Sequence, residues 1–136
     1  ARFVAEVARV LKPGGLFLLE DSIVPDDPDL GTFLNRVEAL RDHTHARSLS
    51  AAAWRELFAA AGLRIEAEAR YPKPHPFDDW LGRSRTSDTD RAALLALFRE
   101  ATPAARAAFA VTYDEAGRVT CFTDEKILLK GRKVGG

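Results

Sequence analysis

A polar segment between two amphipathic stretches carries the side chains best suited to chemistry. Asp42, His45 and Arg47 lie within residues 42–48. A neutral imidazole can accept a proton near neutral pH, which makes His45 the candidate catalytic residue. Arg47 can bind an anionic group of a substrate, with Asp42 beside it as a second substrate-binding candidate. The same side chains also fit a plain loop network, in which Asp42 caps backbone amides and His45 bonds to the backbone.

Three further residues are predicted to contact a substrate. Glu20 and Asp21 follow the apolar run 16–19, which is typical of a strand buried on both faces. In open α/β sheets, ligands lie beyond the carboxyl ends of the strands, so both acids are candidate pocket residues. Solvated acids at the end of a strand are the alternative. Phe33 lies on a helical apolar stripe and fits either a pocket wall or a core.

Metal and thiol chemistry are not indicated. His43 and His45 alone cannot complete a zinc site, and the sequence holds no Cys/His cluster with the required spacing. Cys121, the single cysteine, is expected to be a small buried residue of a strand. His75 lies between two prolines and is expected to be a solvated residue of an extended linker.

The composition is that of an ordinary globular chain. Twenty basic residues balance twenty acidic ones, so no strong field favours nucleic acid or an anionic membrane as a partner. The apolar stretches are far shorter than the roughly 20 residues needed to span a bilayer, and no signal peptide is visible. A lone cysteine is compatible with a reducing cytoplasm, which is the expected location.

Local patterns predict alternating helices and strands. Apolar spacing, caps and glycine stops predict helices over 1–11, from Asp27-Pro28 to about residue 42, and from Ser50 to residue 62. Residues 63–70 alternate, which predicts a strand with Ala67 and Ala69 on its dry face. Shorter helices are predicted near 77–81, 89–100 and 102–109, then a hairpin around 114–117 and a last strand at 127–129.

The ordered set of motifs resembles the class I S-adenosylmethionine-dependent methyltransferases. The passage Glu6 to Asp21, with Lys12-Pro13-Gly14-Gly15 at its centre, is similar to the family's fifth strand and the helix and turn before it. Residues 40–47 and the helix 54–62 resemble a subgroup related to ubiquinone/menaquinone C-methyltransferases. Residues 122–133 are similar to the family's last strand.

This resemblance implies an α/β fold, the C-terminal part of a Rossmann-like methyltransferase sheet. It would hold the fifth to seventh strands with inserted helices, the seventh strand being antiparallel and lying between the other two. Residues 1–136 would form the C-terminal portion of one domain whose cofactor-binding half is absent. The implied activity of the parent protein is methyl transfer from S-adenosylmethionine to a small-molecule acceptor, achieved mainly by positioning.

The cofactor S-adenosylmethionine is not expected to bind this chain, and no cofactor-binding residue is predicted. A phosphate- or nucleoside-binding glycine loop opens a helix after a strand, whereas Gly14-Gly15 precede a strand. The chain alone is therefore expected to be inactive. The missing fourth strand would leave the edge of the fifth strand unpaired, which predicts a homodimer through that edge.

Two other interpretations stay open. The chain can be a non-catalytic interaction or dimerisation module that pairs through the open edge, or part of another α/β domain such as a nucleotide-binding oxidoreductase. The absence of methionine and a helical pattern that starts at residue 1 indicate a fragment of a longer protein, although removal of an initiator before Ala1 would also explain the first observation.

Overall fold

The computed structural model describes residues 2–135, so Ala1 of the predicted first helix and the terminal Gly136 lie outside the described residues. Six helices and four strands follow one another. The helices are α1 Arg2–Val10, α2 Pro28–Arg41, α3 Ala51–Ala60, α4 Phe77–Arg83, α5 Asp88–Arg99 and α6 Pro103–Ala108. The strands are β1 Leu16–Ile23, β2 Leu63–Pro76, β3 Thr112–Tyr113 and β4 Val119–Lys133. The predicted order of elements is confirmed up to α6, but the second strand of the predicted hairpin and the predicted last strand at 127–129 are one continuous strand, β4.

The helix boundaries follow from the caps that the sequence carries. The carboxylate of Asp27 accepts hydrogen bonds from the amides of Asp29 and Leu30, and Pro28 takes the first turn, where a missing amide costs nothing. Ser50 caps α3 through a 3.1 Å bond from the amide of Ala53. These caps fix where the two helices begin.

The strands form a sheet in the order β1-β4-β2, with β3 pairing to β4 outside that path. β1 and β4 run antiparallel, from the pair Leu16 and Arg132 to the pair Ile23 and Glu125. The last strand therefore lies between the first two and opposes β1. This arrangement confirms the fold class that the resemblance implied.

The chain divides into two compact units. The first comprises the residues up to Ile23, Leu49–Tyr71 and the residues from Glu125 onward, and the second comprises Val24–Ser48 and Pro72–Asp124. Each unit has its own apolar core. The largest buried side chains of the first unit are Val4, Phe58, Ile127 and Leu129, and those of the second are Val37, Phe77, Trp80, Leu94, Phe98 and Phe122.

Two expectations for the segment after Gly62 were wrong. The strand does not end at residue 70, because β2 continues through the three prolines to Pro76. Prolines at every second position leave all of the missing amides on one side of the strand, which a strand at the end of the sheet order can tolerate. Ala67 and Ala69 are exposed rather than dry, while Glu68 forms an ion pair of 2.7 Å with Arg55 of α3.

Among residues 2–135, none of the helices combines the length and the apolar character required to cross a membrane.

Candidate functional site

A cleft of about 560 Å³ in the second unit is a candidate site. It lies where α2 packs against α5 and α6. Its apolar lining comes from Leu30, Phe33, Leu97, Ala101, Ala104 and Ala105. A volume of this size matches the range of small-molecule pockets, roughly 300–1,000 Å³. The structure thus places Phe33, a predicted substrate-binding residue, on the wall of a cleft.

Charged and hydroxyl side chains surround the apolar lining of the cleft. Helix α2 contributes Asp29 and Arg36 to it, and Asp27 caps that helix. Glu100 comes from the carboxyl end of α5, and Thr102 caps the following helix. An apolar wall with a few converging polar groups is the arrangement that binds and orients a small ligand.

The loop with the predicted catalytic residue is held by a side-chain amide. His45 Nε2 lies 3.2 Å from Asn35 Oδ1, and the same oxygen accepts a 2.7 Å bond from the amide of Ser48. The Asn35 amide nitrogen donates back to the carbonyl of Ser48 over 3.2 Å. Asn35 therefore fixes the loop conformation and the position of His45 together. The proposed proton-accepting role of His45 stays a prediction.

Asp42 and Arg47 are placed differently within that loop. The carboxylate of Asp42 accepts bonds from the hydroxyl and the amide of Thr44, at 2.7 and 2.9 Å. These two bonds, the hydroxyl bond foremost, lower the pKa of Asp42 below its ordinary value. Arg47 is exposed. Asp42 thus has the contacts of the loop network that the sequence left open.

Glu20 and Asp21 belong to the first unit, whereas Phe33 and residues 42–47 belong to the second. Both acids are exposed and lie within β1, which continues to Ile23, so the prediction that they follow the end of a strand buried on both faces was wrong. Glu20 accepts a 2.9 Å bond from the hydroxyl of Tyr71, which raises the pKa of that phenol. Asp21 accepts a bond of 2.8 Å from the amide of Ser22. Neither contact reveals a ligand role, and their assignment to the substrate also stays a prediction.

His75 is not the solvated linker residue that the sequence suggested. Its side chain is about 10% exposed, and its Nε2 lies 2.9 Å from Oδ1 of Asp124. The ring packs 5.1 Å from Phe122 and 6.1 Å from Trp80, measured between centroids. The prediction was wrong because β2 extends through the prolines and carries His75 into the core of the second unit.

One face of the sheet in the first unit is apolar and exposed. We call this surface the apolar sheet patch: Leu18, Glu20, Ala67, Ala69, Leu128 and Lys130 line a shallow depression of about 450 Å³. Leu18 is 72% exposed and Leu128 is 40% exposed. Exposed apolar groups that cluster in this way are typical of a surface covered by another protein element.

The glycine pair does not form a cofactor cradle. Gly14 has a φ of +79° and its amide donates to the carbonyl of Lys133, while the Gly15 amide donates to the carbonyl of Lys12. The Gly15 amide is thus used within the turn that leads into β1, and the Gly14 amide bonds to the last residue of β4. Among residues 2–135, no group of three or more His, Cys, Asp or Glu side chains is arranged to hold a metal ion. The Gly14-Gly15 pair is therefore a turn before a strand and not a nucleoside-binding loop.

Several residues that line the cleft were not predicted from the sequence. Arg36 follows Phe33 by three positions, so the helical period could have placed both on one face. Glu100 and Ala104 come from segments about 70 residues away in the chain, and no local signal connects them to α2. Asn35 gave no sign of its role, because its partners depend on the fold of the loop.

The sequence is similar to two curated bacterial proteins. It is 35% identical over 130 residues to the uncharacterized methyltransferase YcgJ of Bacillus subtilis. This alignment covers 96% of this chain and 51% of YcgJ. It is 31% identical over 128 residues to the uncharacterized protein YafE of Escherichia coli, with 94% and 59% covered. No family model matches the sequence. The chain spans about half of the length of these relatives.

Two crystal structures share its fold. The crystal structure of YcgJ superposes with a TM-score of 0.94 at 34% identity. That of BH2331 from Bacillus halodurans, a proposed methyltransferase, superposes with a TM-score of 0.94 at 32% identity. Each match covers 98% of this chain and 57% of the other.

Proposed function

We propose that this chain, which belongs to the class I S-adenosylmethionine-dependent methyltransferases, supplies the acceptor-binding part of an enzyme that methylates a small molecule. The observation that carries this assignment is the cleft beside Phe33, whose volume of about 560 Å³ suits a small ligand. The balanced charge of the sequence supports a small molecule over nucleic acid or a membrane surface. We also propose that the parent enzyme is related to the ubiquinone/menaquinone C-methyltransferases.

The cofactor would be held outside this chain. Gly14 and Gly15 precede a strand rather than a helix, and their amides already bond to the carbonyls of Lys133 and Lys12, so this pair is not a glycine-rich helix start for a nucleoside. The relatives are longer, and 43% of each matched crystal structure has no counterpart here. We assign cofactor binding to that remaining part of the parent enzyme, and we expect the chain alone to be inactive.

A calorimetric titration of the chain with S-adenosylhomocysteine tests this assignment, with intact mass confirming the 136 residues. We expect no heat of binding at millimolar ligand. Binding at micromolar concentration would show that this chain builds a cofactor site by itself. Thermal unfolding with and without the ligand gives an independent measure, since a ligand that binds the native state raises the Tm.

A second candidate function is a non-catalytic interaction module, and the apolar sheet patch favours it. Leu18 on the edge strand β1 and Leu128 on its neighbour β4 both expose apolar surface in the first unit. Unpaired edges and apolar patches promote association between chains. We therefore also propose a homodimer through this edge, and for either function a cytoplasmic location, which the single cysteine supports.

A further inference from the structure

We propose that the acceptor held in the cleft carries a cationic amine on an apolar or aromatic body. This inference rests on the proposed function, because it specifies the ligand of the same cleft. The charges that line the cleft and the fixed position of its aromatic wall support it.

The aromatic wall of the cleft is held in place from behind. The ring of Phe33 stacks on Phe109 at 5.8 Å and meets the ring of Phe98 edge-on at 5.6 Å. Phe98 and Phe109 are themselves buried, with exposures of 0% and 2%. Phe33 therefore presents a fixed apolar surface, which favours a flat or apolar ligand body.

The charge of the lining is negative. Asp27, Asp29 and Glu100 contribute three carboxylates and Arg36 one guanidinium, so the formal charge is −3 + 1 = −2. The carboxylates come from two separate helical segments that face one space. A cleft lined by one sign of charge with apolar walls raises the local concentration of ligands of the opposite sign. This balance selects a cation over an anion.

Glu100 carries its negative charge at an unfavourable place on its helix. It is the C-cap residue of α5, where the helix dipole places partial negative charge and an anionic side chain is unfavourable. The neighbouring guanidinium of Arg106 donates to the carbonyls of Arg99 and Ala101. A ligand cation in the cleft would offset the charge of the Glu100 carboxylate directly.

Arg36 does not reverse this preference. It lies seven residues, about two helical turns or roughly 10 Å, beyond Asp29 on α2. Asp29 is therefore separated along α2 from the single cation of the lining. The amine would lie toward Asp29, with its apolar body against Phe33.

Two matched probes test the charge preference in the chain itself. Phenethylamine and 3-phenylpropionate share an aromatic ring and a two-carbon linker but carry opposite charges at neutral pH. Their binding is followed by NMR shifts of backbone amides that line the cleft. We expect the Kd of the amine to be lower than that of the carboxylate by a factor of about five or more.

Substitutions locate the site and its charges. Asp29→Asn and Glu100→Gln should each raise the Kd of phenethylamine about two- to fivefold, whereas Glu115→Gln, in the hairpin turn, should leave it unchanged. Ala104→Leu adds bulk to an exposed lining position and should abolish saturable binding. Ala107→Leu makes the same change on the same helix at an exposed residue outside the lining, and should bind as the parent chain does.

The outcomes separate this inference from the proposed function. Preference for the amine, lost in Ala104→Leu and weakened by the two acidic substitutions, supports an amine-bearing acceptor. Equal binding of the probes, or preference for 3-phenylpropionate, overturns the amine while the cleft remains the acceptor site. Failure of both probes to bind overturns the assignment of the cleft itself. Binding that Ala104→Leu leaves intact places the probe elsewhere and also overturns the proposal.

Discussion

The imidazole of His75 and the carboxylate of Asp124 form a buried pair, with Nε2 and Oδ1 2.9 Å apart although the residues are 49 positions apart in the chain. The Asp124 side chain is 2% exposed. The other ring nitrogen, His75 Nδ1, is buried and has no hydrogen-bond partner within the described part of the chain. Because an unpaired buried polar group costs about 1–3 kcal/mol, the bond to Asp124 is what makes burial of this histidine tolerable.

Removal of the carboxylate should destabilise the chain. Asp124→Ala leaves the Nε2 atom of His75 without its partner, and we expect a loss of about 2 kcal/mol in the free energy of unfolding. Asp124→Asn keeps an oxygen acceptor at the same position and should cost less. Urea denaturation of both variants measures the difference. Equal losses would show that packing, and not the hydrogen bond, accounts for the effect.

A glycine in β4 is required by packing. A Cβ at Gly131 would lie 2.8 Å from Cε2 of Phe58, whose ring is fully buried. Gly131→Ala should therefore lower the free energy of unfolding by about 1–3 kcal/mol. Gly82→Ala is the control, because a Cβ at Gly82 in helix α4 meets nothing within 4 Å. The free energy of unfolding of that variant should be unchanged or should rise by up to about 1 kcal/mol, because alanine has the higher helix propensity. Thermal unfolding compares the two, and a neutral Gly131→Ala would contradict the assigned contact.

Glu66 should make the stability depend on pH in the acid range. The guanidinium of Arg132, 2.7 Å from Oε2, lowers the pKa of Glu66 from 4.5 to about 2, with a smaller contribution from Arg64. A folded-state pKa below the unfolded one means that the stabilisation is present above pH 4.5 and is lost as the pH falls toward 2.

The difference in unfolding free energy between the parent chain and Glu66→Gln should therefore shrink across that window. Denaturant unfolding at several pH values measures it. Glu56→Gln, which removes an exposed carboxylate from α3, is the matched control. A difference for Glu66→Gln that stays constant down to pH 2 would contradict the ion pair with Arg132.

The apolar sheet patch should drive the self-association of the proposed homodimer. Leu18→Glu places a charge on a side chain that is 72% exposed, so the fold should be retained while association is lost. Val10→Glu, at a residue of α1 that is 65% exposed and outside the patch, is the control. Light scattering at micromolar concentration should give a dimer for the parent chain and Val10→Glu, and a monomer for Leu18→Glu. A monomeric parent chain would rule out the homodimer.

The elements of this chain could be predicted from its sequence because their signals are local. Asp27-Pro28 and Ser50 mark the starts of α2 and α3 through bonds that span two or three residues. The ordered motifs also pointed to the methyltransferase family, and the position of β4 between β1 and β2 followed from that resemblance.

The site depended on contacts that no local pattern contains. His75 looked solvated among prolines, yet Asp124, 49 residues away, accepts its hydrogen bond in a core. The sequence allowed Phe33 to be either a pocket residue or a core residue. Because α5 and α6 pack against α2, Phe33 lines a cleft together with Glu100 and Ala104. Hydrogen-bond caps act over a few residues and are therefore visible in the sequence. Burial and cavity shape arise from distant segments that meet only in the folded chain.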